Sequence, residues 1–127
     1  MEYPVELRYS EEHTWVRDDS GKGYIGITHY AQDQLGEIIF VGLPAVGTSV
    51  ERMDVFGEVE SIMAVNDLYA PVSGKVVEVN EMLEEAPEIV NDDPYGDGWI
   101  IAVTMEDKDQ LKDLLTAEAY KEMIEER

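Results

Sequence analysis

The sequence predicts a mainly β domain, a sandwich or a barrel, with short helices and one C-terminal helix. Short apolar or alternating runs recur as far as Thr104, and clusters of Gly, Pro, Asn and Asp separate them, which is the pattern of short, closely spaced strands. Only residues 108–124 carry apolar side chains at three- and four-residue spacing. That spacing predicts a helix with one apolar stripe that packs against the sheet.

Length and composition indicate one globular domain spanning residues 1–127. The chain has 127 residues, of which 44% are hydrophobic and 30% charged. A chain of this size buries a single core. No apolar run approaches the roughly 20 residues of a membrane helix, so we expect no membrane partner. The start lacks the basic and apolar order of a signal peptide, and we expect a cytoplasmic location.

The charge balance excludes several classes of partner and site. With 29 acidic and 9 basic residues the net charge is −20, which disfavours nucleic acid and anionic membranes and favours basic protein surfaces. Solubility alone is an equally good explanation of that charge. The absence of cysteine excludes disulfides, thiolate nucleophiles and cysteine-based metal sites.

The N-terminal third predicts strands joined by a turn, followed by a short helix. Residues 7–16 indicate a strand, a turn and a second strand, and residues 18–23 are dense in turn formers before the strand 24–27. Thr28 is a good N-cap for a helix over residues 29–35, which Gly36 would end. The apolar run 37–43 is short enough to be a buried strand.

The middle and the end of the chain predict further short elements. Residues 55–62 alternate in part and predict a strand, residues 63–67 a turn, and residues 68–72 a returning strand. Residues 75–79 predict the next strand. Asn80 would then cap a helical turn at 81–85, and residues 91–98 form a loop before the strand 99–104.

Several segments, in order along nearly the whole chain, are more specific than this pattern. They are residues 9–16 (YSEEHTWV), 26–36 (GITHYAQDQLG), 41–47 (VGLPAVG), the hairpin from Gly57 through 70–74 (APVSG) to 76–80 (VVEVN), and 91–99 (NDDPYGDGW). Together they resemble the H-protein family of the glycine cleavage system. The resemblance implies a lipoyl/biotinyl-domain-like barrel-sandwich hybrid fold.

The resemblance also implies a carrier lysine at an exposed hairpin tip, preceded by Glu-Ser-Val or a near variant. Here Glu60, Ser61 and Ile62 form that lead-in, so Met63 stands at the lysine position. A thioether has no nitrogen to acylate, and we expect no lipoate on this chain. Asp67 keeps the acidic residue beyond the turn, and with Glu60 and Ser61 it is a candidate for the docking surface.

Family members shuttle the aminomethyl group of glycine on a lipoyl arm and are carriers without a catalytic site. The implied partners are glycine decarboxylase (P protein), aminomethyltransferase (T protein) and dihydrolipoyl dehydrogenase (L protein). A chain without the lysine has a second possible role, as a non-carrier binding or regulatory paralogue that docks to those partners.

Two further positions depart from the family near the cavity that shelters the loaded arm. The family usually has a glutamate between the residues that are His13 and Trp15 here, whereas this chain has Thr14, which supplies no negative charge. Tyr30 replaces a frequent histidine. His13, Thr14 and Tyr30 are therefore candidates for the cavity wall, and Thr14 favours a diverged paralogue over an isolated change at Met63.

Other sites have simpler explanations. Lys75 follows a turn but belongs to the next strand, so a surrogate attachment site is disfavoured. His13 and His29 lack the spacing of paired metal ligands. Asp92, Asp93 and Asp97 lack the glycine and glutamate of a calcium loop. No serine lies in a nucleophile elbow, and the adjacent Glu84 and Glu85 do not straddle a cleft, so we expect neither catalytic nor metal-binding residues.

Overall fold

The computed structural model describes residues 3–125 and contains two antiparallel sheets with helices around them. This confirms the predicted fold class. The strands are β1 (Arg8–Tyr9), β2 (Thr14–Asp19), β3 (Lys22–Ile27), β4 (Ile38–Gly42), β5 (Ser49–Val50), β6 (Val55–Ser61), β7 (Val65–Tyr69), β8 (Gly74–Val79) and β9 (Ile101–Met105). The α-helices are α1 (His29–Leu35), α2 (Met82–Glu85), α3 (Ile89–Asp92) and α4 (Ala117–Glu125), and Lys108–Asp113 is a 3₁₀ helix.

The strand order separates a large sheet from a small one. Six strands form the first sheet in the order β1-β2-β3-β9-β8-β5, and three form the second in the order β4-β6-β7. Side chains from both sheets meet in one main core, among them Ile25, Val59 and Val103. The β6–β7 hairpin belongs to the small sheet, and its tip lies at the surface, where Ile62 and Met63 are exposed.

A second, smaller cluster lies beneath the N-terminal strands. Tyr9, Trp15 and Tyr120 are fully buried in it, and Leu7 and Ala117 complete it. The rings of Tyr9 and Tyr120 stack with centroids 5.0 Å apart. This cluster attaches the C-terminal helix to β1 and β2.

Local signals placed the first hairpin and α1 correctly. Ser20 (φ 53°) and Gly21 (φ 94°) both adopt the left-handed conformation in the two-residue turn between β2 and β3, as a type I′ turn requires. Thr28 caps α1 by accepting the N–H of Ala31 at 3.1 Å, and the N–H of Gly36 closes the helix on the carbonyl of Gln32.

The predicted single helix over residues 108–124 is wrong. A 3₁₀ helix ends at Asp113, Leu114 is extended, and α4 begins only at Ala117. Leu115 causes the break because its N–H and carbonyl pair with the carbonyl and N–H of Tyr9, at 2.8 and 2.9 Å. Backbone pairing with β1 therefore overrides the apolar periodicity.

Two smaller predictions also differ from the structure. Asn80 does not cap α2 with its side chain, which instead donates to the carbonyls of Asp97 and Trp99 at 2.8 and 2.7 Å. Helix α3 occupies the start of the predicted loop. Within residues 3–125, no helix combines the length and apolar character needed to cross a bilayer.

Candidate functional site

The tip of the β6–β7 hairpin is a tight turn over residues 61–64, organised by one side chain. The N–H of Ser61 donates to the carbonyl of Ala64 at 2.8 Å. The hydroxyl of Ser61 accepts the N–H groups of Met63 and Ala64 at 3.1 and 3.2 Å. Because this turn is complete at Ala64, β7 begins at Val65. The predicted turn over residues 63–67 is therefore too long, since residues 65–67 belong to the strand. Asp67 lies in the strand.

Met63 projects from this tip with 77% of its surface exposed, beside Ile62 at 68%. The tip is nevertheless attached to the body of the protein. The N–H of Ile62 donates to the carbonyl of Glu37 at 3.3 Å, and the Met63 sulfur lies 4.0 Å from where a Cβ on Gly36 would be. The turn therefore presents two apolar side chains next to the C-terminal end of α1.

A cleft of about 510 Å³ runs between β7 and α1. Its strand wall is the whole of Val65–Tyr69, with Val59 of β6 behind it. The facing wall comes from α1, the end of β3 and the chain before β2. The residues of this second wall are Glu12, His13, Ile27, Tyr30, Ala31, Gln34 and Leu35. The cleft therefore has a mixed lining of apolar and polar side chains, with two carboxylates, those of Glu12 and Asp67.

The structure brings some of the predicted site residues together and separates others. His13, Tyr30 and Asp67 all line the cleft. Glu60 lies on β6 opposite Val65, and Ser61 organises the tip. Glu12 also lines the cleft, although sequence reasoning missed it. Its place directly before His13, in the acidic pair that interrupts the first two strands, was the available signal.

Thr14 does not line the cleft. Its side chain is buried, and its hydroxyl donates to the carbonyl of Tyr69 at 3.2 Å. Since that bond uses the hydroxyl hydrogen, the Ser10 hydroxyl donates to Thr14 Oγ1 at 2.7 Å. Thr14 thus links the start of β2 to the end of β7, beneath the cleft wall.

His13 is held in a strained backbone conformation at the cleft. Its φ of 69° is uncommon for a residue with a Cβ and persists only where neighbours enforce it. His13 Nδ1 lies 2.7 Å from the Tyr120 hydroxyl, which lies 2.8 Å from the Thr28 hydroxyl. The ring also packs against Tyr30 with centroids 5.0 Å apart. Tyr120 thereby joins α4 to both His13 and the N-cap of α1.

The same end of α1 receives a second tyrosine. The His29 N–H donates to the Tyr95 hydroxyl at 2.8 Å, and burial raises the pKa of Tyr95. Asn91 fixes the other end of the helix, because its amide donates to the Gly36 carbonyl at 2.9 Å while its Oδ1 accepts the Ile38 N–H. Both ends of the helical cleft wall are therefore anchored to other parts of the fold.

Replacing Tyr120 with phenylalanine should lower the free energy of unfolding by about 1–3 kcal/mol, because His13 and Thr28 each lose a hydrogen bond at a buried position. Urea denaturation followed by circular dichroism measures the loss. Tyr30→Phe is the matched control and should cost less than about 0.5 kcal/mol, as expected for a tyrosine that is only partly buried. Equal losses in the two variants would contradict the role assigned to Tyr120.

The remaining candidates lie away from the tip. Lys75 is on β8, paired with Ser49 and Thr104 in the large sheet, whereas the tip belongs to the small one. His29 Nδ1 lies 3.1 Å from the Gln32 side-chain amide. Across the part of the chain that the structure describes, no three His, Asp or Glu side chains converge as a metal site would require.

Known proteins match this chain along almost its full length. The sequence profile of the "Glycine cleavage H-protein" family matches residues 7–127. A glycine cleavage system H protein of Brevibacillus brevis is 53% identical over 126 residues, covering 99% of this chain and all of the relative. One from Synechococcus sp. is 54% identical over 125 residues, covering 98% and 97% of the two chains.

A solved structure gives the same result for the fold. The crystal structure of a glycine cleavage system H protein from Mycobacterium marinum superposes with a TM-score of 0.88 at 36% sequence identity. The match covers 96% of this chain and 98% of the other.

Proposed function

This chain belongs to the glycine cleavage H-protein family, and we propose that it is a member that docks to protein partners without carrying a lipoyl group of its own. H proteins are lipoyl carriers rather than catalytic enzymes. The observation that carries the proposal is Met63, at the exposed tip of the turn that follows Glu60 and Ser61. A carrier of this kind needs an amine there.

Covalent lipoate does not fit the residues present. Amide formation with lipoic acid needs a primary amine, and the hairpin of β6, its turn and β7 contains no lysine between Val55 and Tyr69. Lys75 lies in the large sheet, outside the hairpin tip. With Met63 at the tip, the chain therefore does not shuttle an aminomethyl group on an arm of its own.

The proposed docking surface is the hairpin face. Glu60 lies beside the tip, whose turn the buried Ser61 shapes, and Asp67, His13 and Tyr30 lie in the adjacent cleft. The partners it would fit are the P, T and L proteins of glycine cleavage. A net charge of −20 steers basic protein surfaces toward the chain. We treat residues 1–127 as one domain, and the core shared by both sheets supports this.

A second candidate function is a regulatory one, in which the chain occupies a partner's docking site and excludes a lysine-bearing carrier. The exposed apolar tip favours it, since Ile62 and Met63 offer adaptable apolar contact area where a carrier presents its lipoylated lysine. Adding this chain to glycine decarboxylase working with a true carrier tests the regulatory role. Inhibition supports the regulatory function, and unchanged turnover rejects it.

The proposal predicts the product of co-expression with a lipoate ligase. The unmodified chain should keep its calculated intact mass, because no amine is present at the tip. The Met63→Lys variant should gain one lipoyl mass. Electrospray mass spectrometry of both proteins measures this. A lipoyl mass on the unmodified chain would overturn the proposal, and peptide mapping would then locate the lysine that received it.

A further inference from the structure

We propose that the cleft between β7 and α1 binds an extended, basic segment of a partner protein, which adds to β7 as a further strand. This inference rests on the proposed function, because a loaded lipoyl arm would occupy the same cleft. It rests on the unpaired edge of β7, on the shape of the cleft and on its charge.

β7 is an edge strand whose outer side faces the cleft. In the described residues it pairs with β6 alone, as the last strand of the small sheet. All five consecutive residues of Val65–Tyr69 line the cleft. Because side chains alternate between the two faces of a sheet, a cavity on one face would contact every second residue. Contact with all five is the pattern expected of a cleft along the backbone edge.

The alternation of bonded and non-bonded pairs between β6 and β7 identifies the backbone groups of β7 that do not bond to β6. Ser61 and Ala64 are bonded through N–H and carbonyl at 2.8 Å, and bonded and non-bonded pairs alternate along an antiparallel ladder. Val65 opposite Glu60 and Asp67 opposite Glu58 are then non-bonded pairs. Their N–H and carbonyl groups therefore point away from β6, on the outer edge of the strand.

Tyr69, the last residue of β7, fits the same alternation, and it limits the length of the site. The Tyr69 carbonyl accepts a hydrogen bond from the Thr14 hydroxyl, on the side away from β6. The Tyr69 carbonyl is therefore already bonded and is not open to a partner strand. The open part of the edge runs from Val65 to Asp67 and suits a short segment of partner backbone, since a residue on the added strand advances about 3.3 Å.

The facing wall completes a groove between an edge strand and a helix, which is a recurring geometry for peptide recognition by strand addition. Tyr30, Ala31 and Gln34 present one side of α1 to the groove. Ile27, Val59 and Leu68 lie at its apolar base. Alternate side chains of an added strand would point toward this base and away from it, so one set is apolar.

Charge selects the other side chains of the ligand. Glu12 and Asp67 both line the cleft, and an added strand places polar side chains beside them. Lysine or arginine would form ion pairs there. A second copy of this chain is a poor occupant, because two molecules that each carry a net charge of −20 repel one another.

The first test uses the unmodified protein and a capped hexapeptide of alternating valine and lysine. Amide hydrogen exchange followed by NMR should show that the N–H groups of Val65 and Asp67 gain at least about tenfold protection at saturation, since they become bonded to the peptide. The amides of Asn66 and Leu68 already bond to β6 and should change little. Binding without added protection at Val65 and Asp67 would overturn the proposal.

The second test changes the peptide. The valine–glutamate counterpart should bind at least about tenfold more weakly, because it faces Glu12 and Asp67 with like charge. N-methylation of either all valines or all lysines removes one set of N–H donors. One of these two peptides should lose binding. Failure of every peptide to bind, or equal binding by both methylated forms and the parent, would reject strand addition.

The third test separates the contribution of the Asp67 carboxylate to peptide affinity from that of its backbone N–H. Asp67→Asn removes the carboxylate and keeps the outward N–H, whereas Asp67→Pro removes both, and proline is tolerated where an edge N–H points outward. We expect a moderate loss of affinity for Asn and a complete loss for Pro, with an unchanged circular dichroism spectrum. Equal affinity of the Asn and Pro variants would show that the backbone does not contribute. The exchange measurement above stands even if the Pro variant does not fold.

Discussion

Replacing Trp15 with alanine should lower the free energy of unfolding by roughly 3–5 kcal/mol, the largest stability effect expected from one substitution in this chain. Trp15 is fully buried between the first strands and the aromatic cluster. Its Nε1–H lies 3.0 Å from the Ile27 carbonyl and 3.1 Å from that of Pro94. The alanine variant loses both the ring and this donor. Urea denaturation monitored by circular dichroism measures the change.

The Trp15→Phe variant divides that loss into two parts. It keeps an aromatic ring in the cluster but removes the donor shared by Ile27 and Pro94, so about 1–3 kcal/mol should be lost. Gly26 explains why the site suits tryptophan, because a Cβ there would come within 2.6 Å of the indole ring. A loss below about 1 kcal/mol for Trp15→Ala would show that the second core contributes little to stability.

The Met63→Lys variant should convert a chain with no carrier activity into one that supports glycine decarboxylation once it is lipoylated. The bonds that shape the tip come from the Ser61 hydroxyl and the backbone, so a lysine at 63 inherits the same exposed position. The adjacent cleft already offers the Glu12 and Asp67 carboxylates. We expect turnover within about tenfold of a family carrier, or ~1.4 kcal/mol of transition-state stabilisation.

Decarboxylation of labelled glycine with the partner enzymes measures this activity. Met63→Arg is the matched control, because it places a cation at the tip that the ligase does not lipoylate, and it should remain inactive. A Met63→Lys protein that is lipoylated but inactive would show that the chain has diverged from glycine cleavage at positions other than 63, with Thr14 the first to restore to glutamate.

The sequence predicted those elements whose causes are local. The N-cap at Thr28 and the stop at Gly36 gave α1 with its correct ends, and the dense turn signal before Tyr24 gave the first hairpin. The C-terminal helix failed where a distant strand intervenes. Leu115 pairs with Tyr9, more than a hundred residues earlier, and apolar spacing contains no record of that partner.

The candidate site likewise has one part with local causes, which the sequence predicted, and one part that depends on distant residues. Its tip was predictable, because Ser61 acts on groups within three residues of itself. The cleft was not predictable, since Glu12 and Asp67 are distant in sequence and line the same cleft only in the folded protein. Thr14 was assigned to the cleft wall from its place beside His13, but it is buried at the start of β2, as Trp15 and Val16 are, and it bonds to the Tyr69 carbonyl.

The order of strands in the large sheet bears on how the protein can be made. β9 lies between β3 and β8, so the first three strands and the pair β8–β5 have no other connection within that sheet. During synthesis from the N-terminus, neither half can join the other until Met105 has been added. Most of this chain is therefore synthesised before its main sheet can close. The aromatic cluster, which needs Tyr120, forms later still.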